Sequence, residues 1–255
     1  MTDVGSVKGA PLAAVRTLAP EHVARYVGSH PMAGSERSGP FAATESLFDG
    51  RPWAVTSSTA CGATPVRLSP AEHDQAVART SHLPHLLAAV AAGRLTEAPA
   101  EHLALSGQGV RDVTRIAAGD PRLWQQILTA NTEALTGLLR DVRDDVDTLL
   151  GALTDGDRGR LTGILDRGVA GTAAIPGKHG GPAVTETTLF VAVPDHPGEL
   201  ARLLADAGEI GVNVEDLRID HDPGRDYGQV ELTVDPGQVD HLLSSLEDRG
   251  WSTHR

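Results

Sequence analysis

The chain has 255 residues, 40% of them hydrophobic and 22% charged, and a formal net charge of −12. That acidity argues against a nucleic-acid partner, since phosphate binding needs basic surface, and 3% aromatic content leaves little for base stacking. One cysteine, Cys61, excludes an internal disulfide framework and fits a reducing cytoplasm, no apolar run is long enough to span a membrane, and no signal-like apolar core follows Asp3. The length suits one to three domains. If such an acidic chain binds a small anion, it must gather a few cations locally.

Residues 2–9 read Thr-Asp-Val-Gly-Ser-Val-Lys-Gly, a strand end, a turn and the start of a helix running to about Ala19 with Pro11 in its first turn. Ala24–Gly28 reads as a short strand. It leads into Ser29-His30-Pro31-Met32-Ala33-Gly34-Ser35-Glu36-Arg37-Ser38-Gly39. Pro31 restricts His30 to extended geometry. The strand end thus carries an imidazole, the Ser35 hydroxyl and the Glu36 carboxylate into a loop, where open α/β sheets place ligands. A lone histidine there also fits an incidental surface position. Phe41–Phe48 suits a short helix and Trp53–Thr56 a strand. The small, polar stretch Ser57–Thr64 marks a domain boundary near residue 60.

From Ser69 the pattern is helical. Ser69-Pro70-Ala71-Glu72 has the residues of a capping box with proline at the first helical position. The helix carries His73, His82 and His85, and Pro84 kinks it by removing a donor and crowding the preceding turn. His82 and His85 are one turn apart, but no further ligand pair accompanies them, so no metal site is expected; for His82 alone, a buried, satisfied imidazole at a helix seam is the plainer reading. A helix spans 109–117. Asp120 caps and Pro121 starts a long helix whose apolar stripe runs from Leu123 to Leu150, the mark of a bundle or dimer seam. Another helix covers Asp157–Ala173, and 175–182 is a breaker-rich linker with a solvated His179. The last segment alternates strand Leu189–Val193, helix Pro197–Ile210, strand Val212–Ile219, a turn at Asp222-Pro223-Gly224, strand Gln229–Val234, helix Pro236–Arg249 and strand Trp251–Thr253. That βαββαβ order is ferredoxin-like.

The run from His30 to Gly39 resembles the His-Pro-x-Ala-Gly-x-Glu-x-Ser-Gly segment of the prephenate/arogenate dehydrogenases of tyrosine biosynthesis. So do Asp3-Val4-Gly5-Ser6-Val7-Lys8, Ser81-His82-Leu83-Pro84-His85, and Arg111-Asp112-Val113-Thr114-Arg115-Ile116-Ala117 with Asp120-Pro121-Arg122-Leu123-Trp124 and Asn131. The resemblance implies oxidative decarboxylation of prephenate to 4-hydroxyphenylpyruvate with NAD or NADP, arogenate being the alternative substrate. It makes His30 the catalytic base and puts Ser6 beside substrate and nicotinamide. Arg115 becomes a carboxylate clamp, with His85, the pair His73-Asp74, Ser35 and Glu36 around the substrate; Trp124, taken by itself, reads as core packing rather than a chemical participant. The implied fold is mixed: the remnant of an α/β Rossmann-like nucleotide-binding domain (1–60), an all-α helical dimerisation domain (61–174), a linker (175–186) and a C-terminal α+β module (187–255).

In that module Asp195-His196-Pro197-Gly198-Glu199-Leu200 and Gly211-Val212-Asn213-Val214 resemble ACT domains. This implies an amino-acid effector near Asp195, Gly198 and Asn213, or pairing alone. The Gly-x-Gly-x-x-Gly turn that seats pyrophosphate on a helix N-terminus does not occur, and Gly107-Gln108-Gly109 does not replace it. The expectation is therefore a homodimeric cytoplasmic enzyme represented by an incomplete chain. The alternative is a non-catalytic, amino-acid-binding regulatory protein derived from the same family.

Overall fold

Strand β1 (Thr2–Asp3) and strand β2 (Val27–Gly28) pair in parallel across helix α1 (Gly9–Leu18) and a 3₁₀ turn (Pro20–Arg25). The computed structural model describes residues 1–33, 44–54, 62–176, 187–220 and 226–255. Ser35, Glu36, Cys61, Val55, Thr56, His179 and the Asp222–Gly224 turn lie outside the described residues. Two compact units, Met1–Val169 and Ala170–Arg255, divide the chain.

In the first unit Ala24 and Arg25, expected in a strand, belong to the 3₁₀ turn instead, because Pro20 stands at its start with φ already set for a helical turn. Strand β3 (His30–Pro31) pairs antiparallel with β4 (Pro52–Ala54), His30 opposite Ala54, and β4 pairs in parallel with β5 (Thr64–Val66). β5 begins at Thr64, the last residue of the stretch read as marking a domain boundary.

Helix α2 (Pro70–Val77) starts at the capping box: the Ser69 hydroxyl accepts from the Glu72 N–H, and the Glu72 carboxylate accepts from the Ser69 N–H at 2.8 Å. The expected kink is a full π-helical turn (Ala78–His82) before α3 (Leu83–Gly93). Pro84 cannot donate to the turn behind it, and a widened turn removes the clash. α4 (Ala100–Leu103) and α5 (Gln108–Arg115) follow. The long helix expected from Pro121 is two, α6 (Pro121–Ala130) and α7 (Thr132–Asp155), broken at Asn131, whose φ −122° and ψ 32° leave the helical region. The side-chain amide of Asn131 donates to the Asp74 carbonyl at 2.7 Å, so a tertiary bond overrides the apolar periodicity. α7 ends on Gly156 at φ 67°, a left-handed cap suited to glycine, and α8 (Arg158–Ala173) follows.

The second unit runs β6 (Thr187–Pro194), α9 (Glu199–Ile210), β7 (Asp216–Asp220), β8 (Tyr227–Val234), α10 (Val239–Asp248) and β9 (Ser252–His254). Its sheet has the order β7-β8-β6-β9 with every pair antiparallel. Alternation along β6 and β8 buries Leu189, Val191, Val193, Val230, Leu232 and Val234, which form one core with Leu203 and Ala207 of α9 and Leu242 and Leu246 of α10. Val212–Val214, expected to open a strand, come before β7; Gly211 at φ 84° ends α9, and Val212 turns into the core instead.

Candidate active site

A cavity of about 720 Å³ opens in the first unit, lined by Ser6, His30, Met32, Ala33, His82, His85, Arg115, Gly119, Trp124 and neighbouring residues. Strand β3 carries His30, the π turn presents His82, α3 carries His85, and the last residue of α5 is Arg115. The loop between β1 and α1 brings Ser6. Four expected site residues, Ser6, His30, His85 and Arg115, thus share one wall system although they are up to 109 positions apart. A second depression, of about 1000 Å³, lies among α1, α2 and α7 and holds none of these four.

His30 Nδ1 lies 3.0 Å from His73 Nε2, and His73 Nδ1 lies 2.8 Å from Asp74 Oδ1. Asp74 also accepts the backbone N–H groups of Lys8 (2.7 Å) and Gly9 (2.8 Å), the orphan donors at the start of α1. Burial would raise the Asp74 pKa, but the His73 bond and these two N–H groups outweigh it and hold the group below the ordinary carboxylate value. Asp74 is therefore a carboxylate that only accepts. His73 must donate through Nδ1, so in the neutral ring Nε2 accepts from His30 Nδ1–H. That assignment leaves Nε2 of His30 with the free lone pair. Desolvation, helped by His73, Lys8 and His82, pushes the His30 pKa down to about 4, so the ring is neutral near pH 7.

His73, expected to line the substrate cavity, does not. It is fully buried behind His30, because an imidazole bonded at both nitrogens to protein groups has no edge left for a ligand. The Asn131 amide reaches His82 Nδ1 at 3.2 Å, so this histidine is the buried, partnered ring of the plainer reading, although one edge reaches the cavity. Trp124, expected in core packing, stands on the cavity wall and stacks on His85, ring centroids 3.5 Å apart and planes 8° apart. Gly119 permits that stack: a Cβ there would come within 2.6 Å of Trp124 Nε1. Burial lowers the His85 pKa, and a hydrogen bond to the Ile116 backbone opposes it.

Sequence reasoning missed Lys8 and Asn131. Lys8 is 1% exposed, and its ammonium bonds the Asp3 carboxylate and the Ser29 carbonyl. Asp3 also accepts from the Tyr26 hydroxyl and, at 2.8 Å, from the Gly5 N–H. Asparagine and lysine read as solvated in isolation; the available signal was Lys8 standing within a motif that already held Ser6.

The expected effector residues lie in the second unit. Gly198 is the N-cap of α9 at φ 94°, Asp195 precedes it in the loop after β6 with its N–H bonded to the Asp226 carbonyl, and Asn213 donates to Glu215 at 2.6 Å. No described helix is long and apolar enough to cross a membrane.

Two family models match the chain: the prephenate dehydrogenase nucleotide-binding domain over residues 1–69 and the prephenate dehydrogenase dimerization domain over residues 69–167. The probable prephenate dehydrogenase NovF of Streptomyces niveus is 35% identical over 257 residues, covering 90% of this chain and 70% of the relative. The crystal structure of a putative prephenate dehydrogenase from Corynebacterium glutamicum is 29% identical with a TM-score of 0.59, covering 69% of this chain and 62% of that one. That of prephenate dehydrogenase from Aquifex aeolicus in complex with hydroxyphenyl propionate and NAD+ is 25% identical with a TM-score of 0.57, covering 67% and 65%.

Proposed function

The chain belongs to the prephenate dehydrogenase family, and we propose that its first unit binds prephenate in the cavity faced by His30 and Arg115 and removes the proton of the ring hydroxyl. The observation that carries this reading is the series Asp74–His73–His30, which leaves one lone pair, on His30 Nε2. NAD or NADP, held with its nicotinamide near Ser6, would supply the acceptor for the hydride of the hydroxyl-bearing ring carbon. As the hydride leaves, the C–O–H group becomes a protonated carbonyl and turns strongly acidic, so even a weakly basic imidazole can take its proton. Loss of carbon dioxide then makes the ring aromatic and yields 4-hydroxyphenylpyruvate.

The substrate brings two carboxylates into an acidic protein. Arg115 offers a planar fork that matches one of them, and the His85–Trp124 stack supplies a flat wall for the ring. His73 acts on the substrate only through His30. Ser35 and Glu36 are read as further substrate contacts, a placement outside the described residues. At the nicotinamide end Ser6 stands on the cavity wall. The first N–H groups of α1 donate to Asp74, so this helix start is not what would hold the cofactor's phosphates. We assign residues 1–60 to the nucleotide-binding part, 61–174 to a helical dimerisation domain, 175–186 to a linker and 187–255 to an ACT-type module. Leu139, Val146, Leu150 and Leu153 of α7, all exposed, would be covered in a homodimer. The βαββαβ unit would offer Asp195, Gly198 and Asn213 to an amino-acid effector.

Calorimetric titration with prephenate tests the reading. The wild-type chain binds, and Arg115→Lys and Arg115→Ala each weaken binding by roughly tenfold to a hundredfold, because lysine keeps the charge but loses the fork. Equal affinity in all three proteins, or no binding by the wild type, would contradict it.

A further inference from the structure

Lys8 has no part in the chemistry described above, yet its ammonium is among the most deeply buried polar groups in the first unit. It stands at the N-cap of α1, between the Ser6 loop and the helix. Its backbone N–H donates to Asp74 Oδ1 at 2.7 Å, the carboxylate at the far end of the histidine series. Its side chain crosses to the other end, where Nζ donates to the carbonyl of Ser29 at 2.7 Å, the residue that precedes His30. Gly28 leaves room for the crossing, since a Cβ there would stand 3.0 Å from Lys8 Cδ. Asp3 compensates the buried charge.

An apolar pair of similar volume would stabilise a fold as well as such a buried ion pair does, so stability alone is a weak reason for it. A group that binds both ends of one hydrogen-bonded series has a more specific effect: it fixes the distance and the direction of every member. We propose that Lys8 is a positioning residue for the reaction, holding strand β3 and Asp74 in the one register in which His30 donates through Nδ1 and keeps Nε2 free. It touches neither substrate nor reacting atoms and acts through His30. This rests on reading His30 as the base.

The ammonium has a second consequence. The charged and titratable groups facing His30 are His73 from α2, His82 from the π turn, Lys8 from the start of α1 and Asp3 from β1, with Arg115 on the same cavity wall. Lys8 is a fixed positive charge in this set and disfavours a second one on the ring. Removing it lets His30 take a proton at a higher pH and lets the ring exchange its tautomers.

Long-range proton–nitrogen NMR of the histidine rings, on the full chain without substrate or cofactor, reads both effects. In the wild type, His30 shows a protonated Nδ1, a bare Nε2 and protonation only near about pH 4. In Lys8→Met, protonation moves to higher pH and the two nitrogens average toward mixed tautomers. Lys8→Arg, which keeps the cation on a differently shaped head, restores the low-pH protonation but not the single tautomer. Asp3→Asn combined with Lys8→Met strands no buried charge, keeps the fold, and repeats the Lys8→Met pattern. An unchanged tautomer and titration in folded Lys8→Met overturns the proposal. So does loss of the fold in both the single and the double variant, which would make Lys8 a residue of the fold alone. A wrong assignment of the base gives a different sign: undiminished turnover in His30→Asn, while the wild type and the Lys8 variants still show the His30 ring pattern described.

Discussion

In the Ala170–Arg255 unit the core is Leu, Val, Ala and one Trp, whereas the Met1–Val169 unit buries Lys8, Ser29, His73, His82, His85 and Asn131 among fewer apolar side chains. Apart from His85, the polar set is connected: Lys8 to Asp3, Ser29 and Asp74, Asp74 to His73, His73 to His30, and Asn131 to His82 and to Asp74. Apolar burial is non-directional and tolerates small adjustments. A buried hydrogen-bond network needs every partner in place, and each lost bond strands a group without water. One unit is thus built for cohesion and the other for fixed orientation of a few side chains, as a site that moves a proton requires.

Breaking the network at its working end has the largest effect. His30→Asn lowers kcat for prephenate oxidation by about 10²–10⁴-fold, the usual contribution of a positioned acid or base, while the prephenate KM stays nearly unchanged. A variant with wild-type kcat would remove His30 from the chemistry. Breaking the apolar core comes next. Leu232→Ala costs about 2–5 kcal/mol in urea unfolding followed by amide signals of β6 and β8, and leaves prephenate affinity unaltered. A change in affinity without loss of stability would erase the contrast between the units.

Acid separates the units more gently. His30, His82 and His85 have folded-state values below the ordinary imidazole value, so as pH falls through about 6.5 the unfolded chain takes protons that the folded unit refuses. Stability of the first unit therefore declines from about pH 6.5 down to about 4, where His30 itself takes a proton. Asp3 and Asp74, held below their ordinary values, add a loss only at still lower pH. In the second unit Asp206 is held low by the Trp251 indole and Arg249, which again acts only below that window. NMR-resolved urea unfolding at pH 7 and pH 5 should show the loss in the first unit alone; equal loss in both would contradict it.

The same contrast explains what the sequence disclosed. The second unit was legible because alternation along Leu189–Val193 and Val230–Val234 reports burial directly. The capping box at Ser69 and the disturbance at Pro84 were legible because both act over three or four residues. The break at Asn131 was not, since the apolar stripe continues past it and its bonds reach Asp74 and His82, 57 and 49 positions away. β5 is three residues around Pro65, too short for a period to show. Motif resemblance gathered Ser6, His30, His85 and Arg115, but could not order them in depth: that His73 stands behind His30, and Trp124 in front against His85, depends on helix rotations no local pattern records.

The most direct test is an amide chemical-shift map of the labelled chain titrated with prephenate. Shifts should gather on the cavity wall of the first unit, at Ser6, His30, His85, Arg115 and Trp124, with β6, β8 and α10 of the second unit unmoved. Shifts gathered in the second unit, or none at saturating prephenate, would refute the assignment of the substrate site to the polar unit.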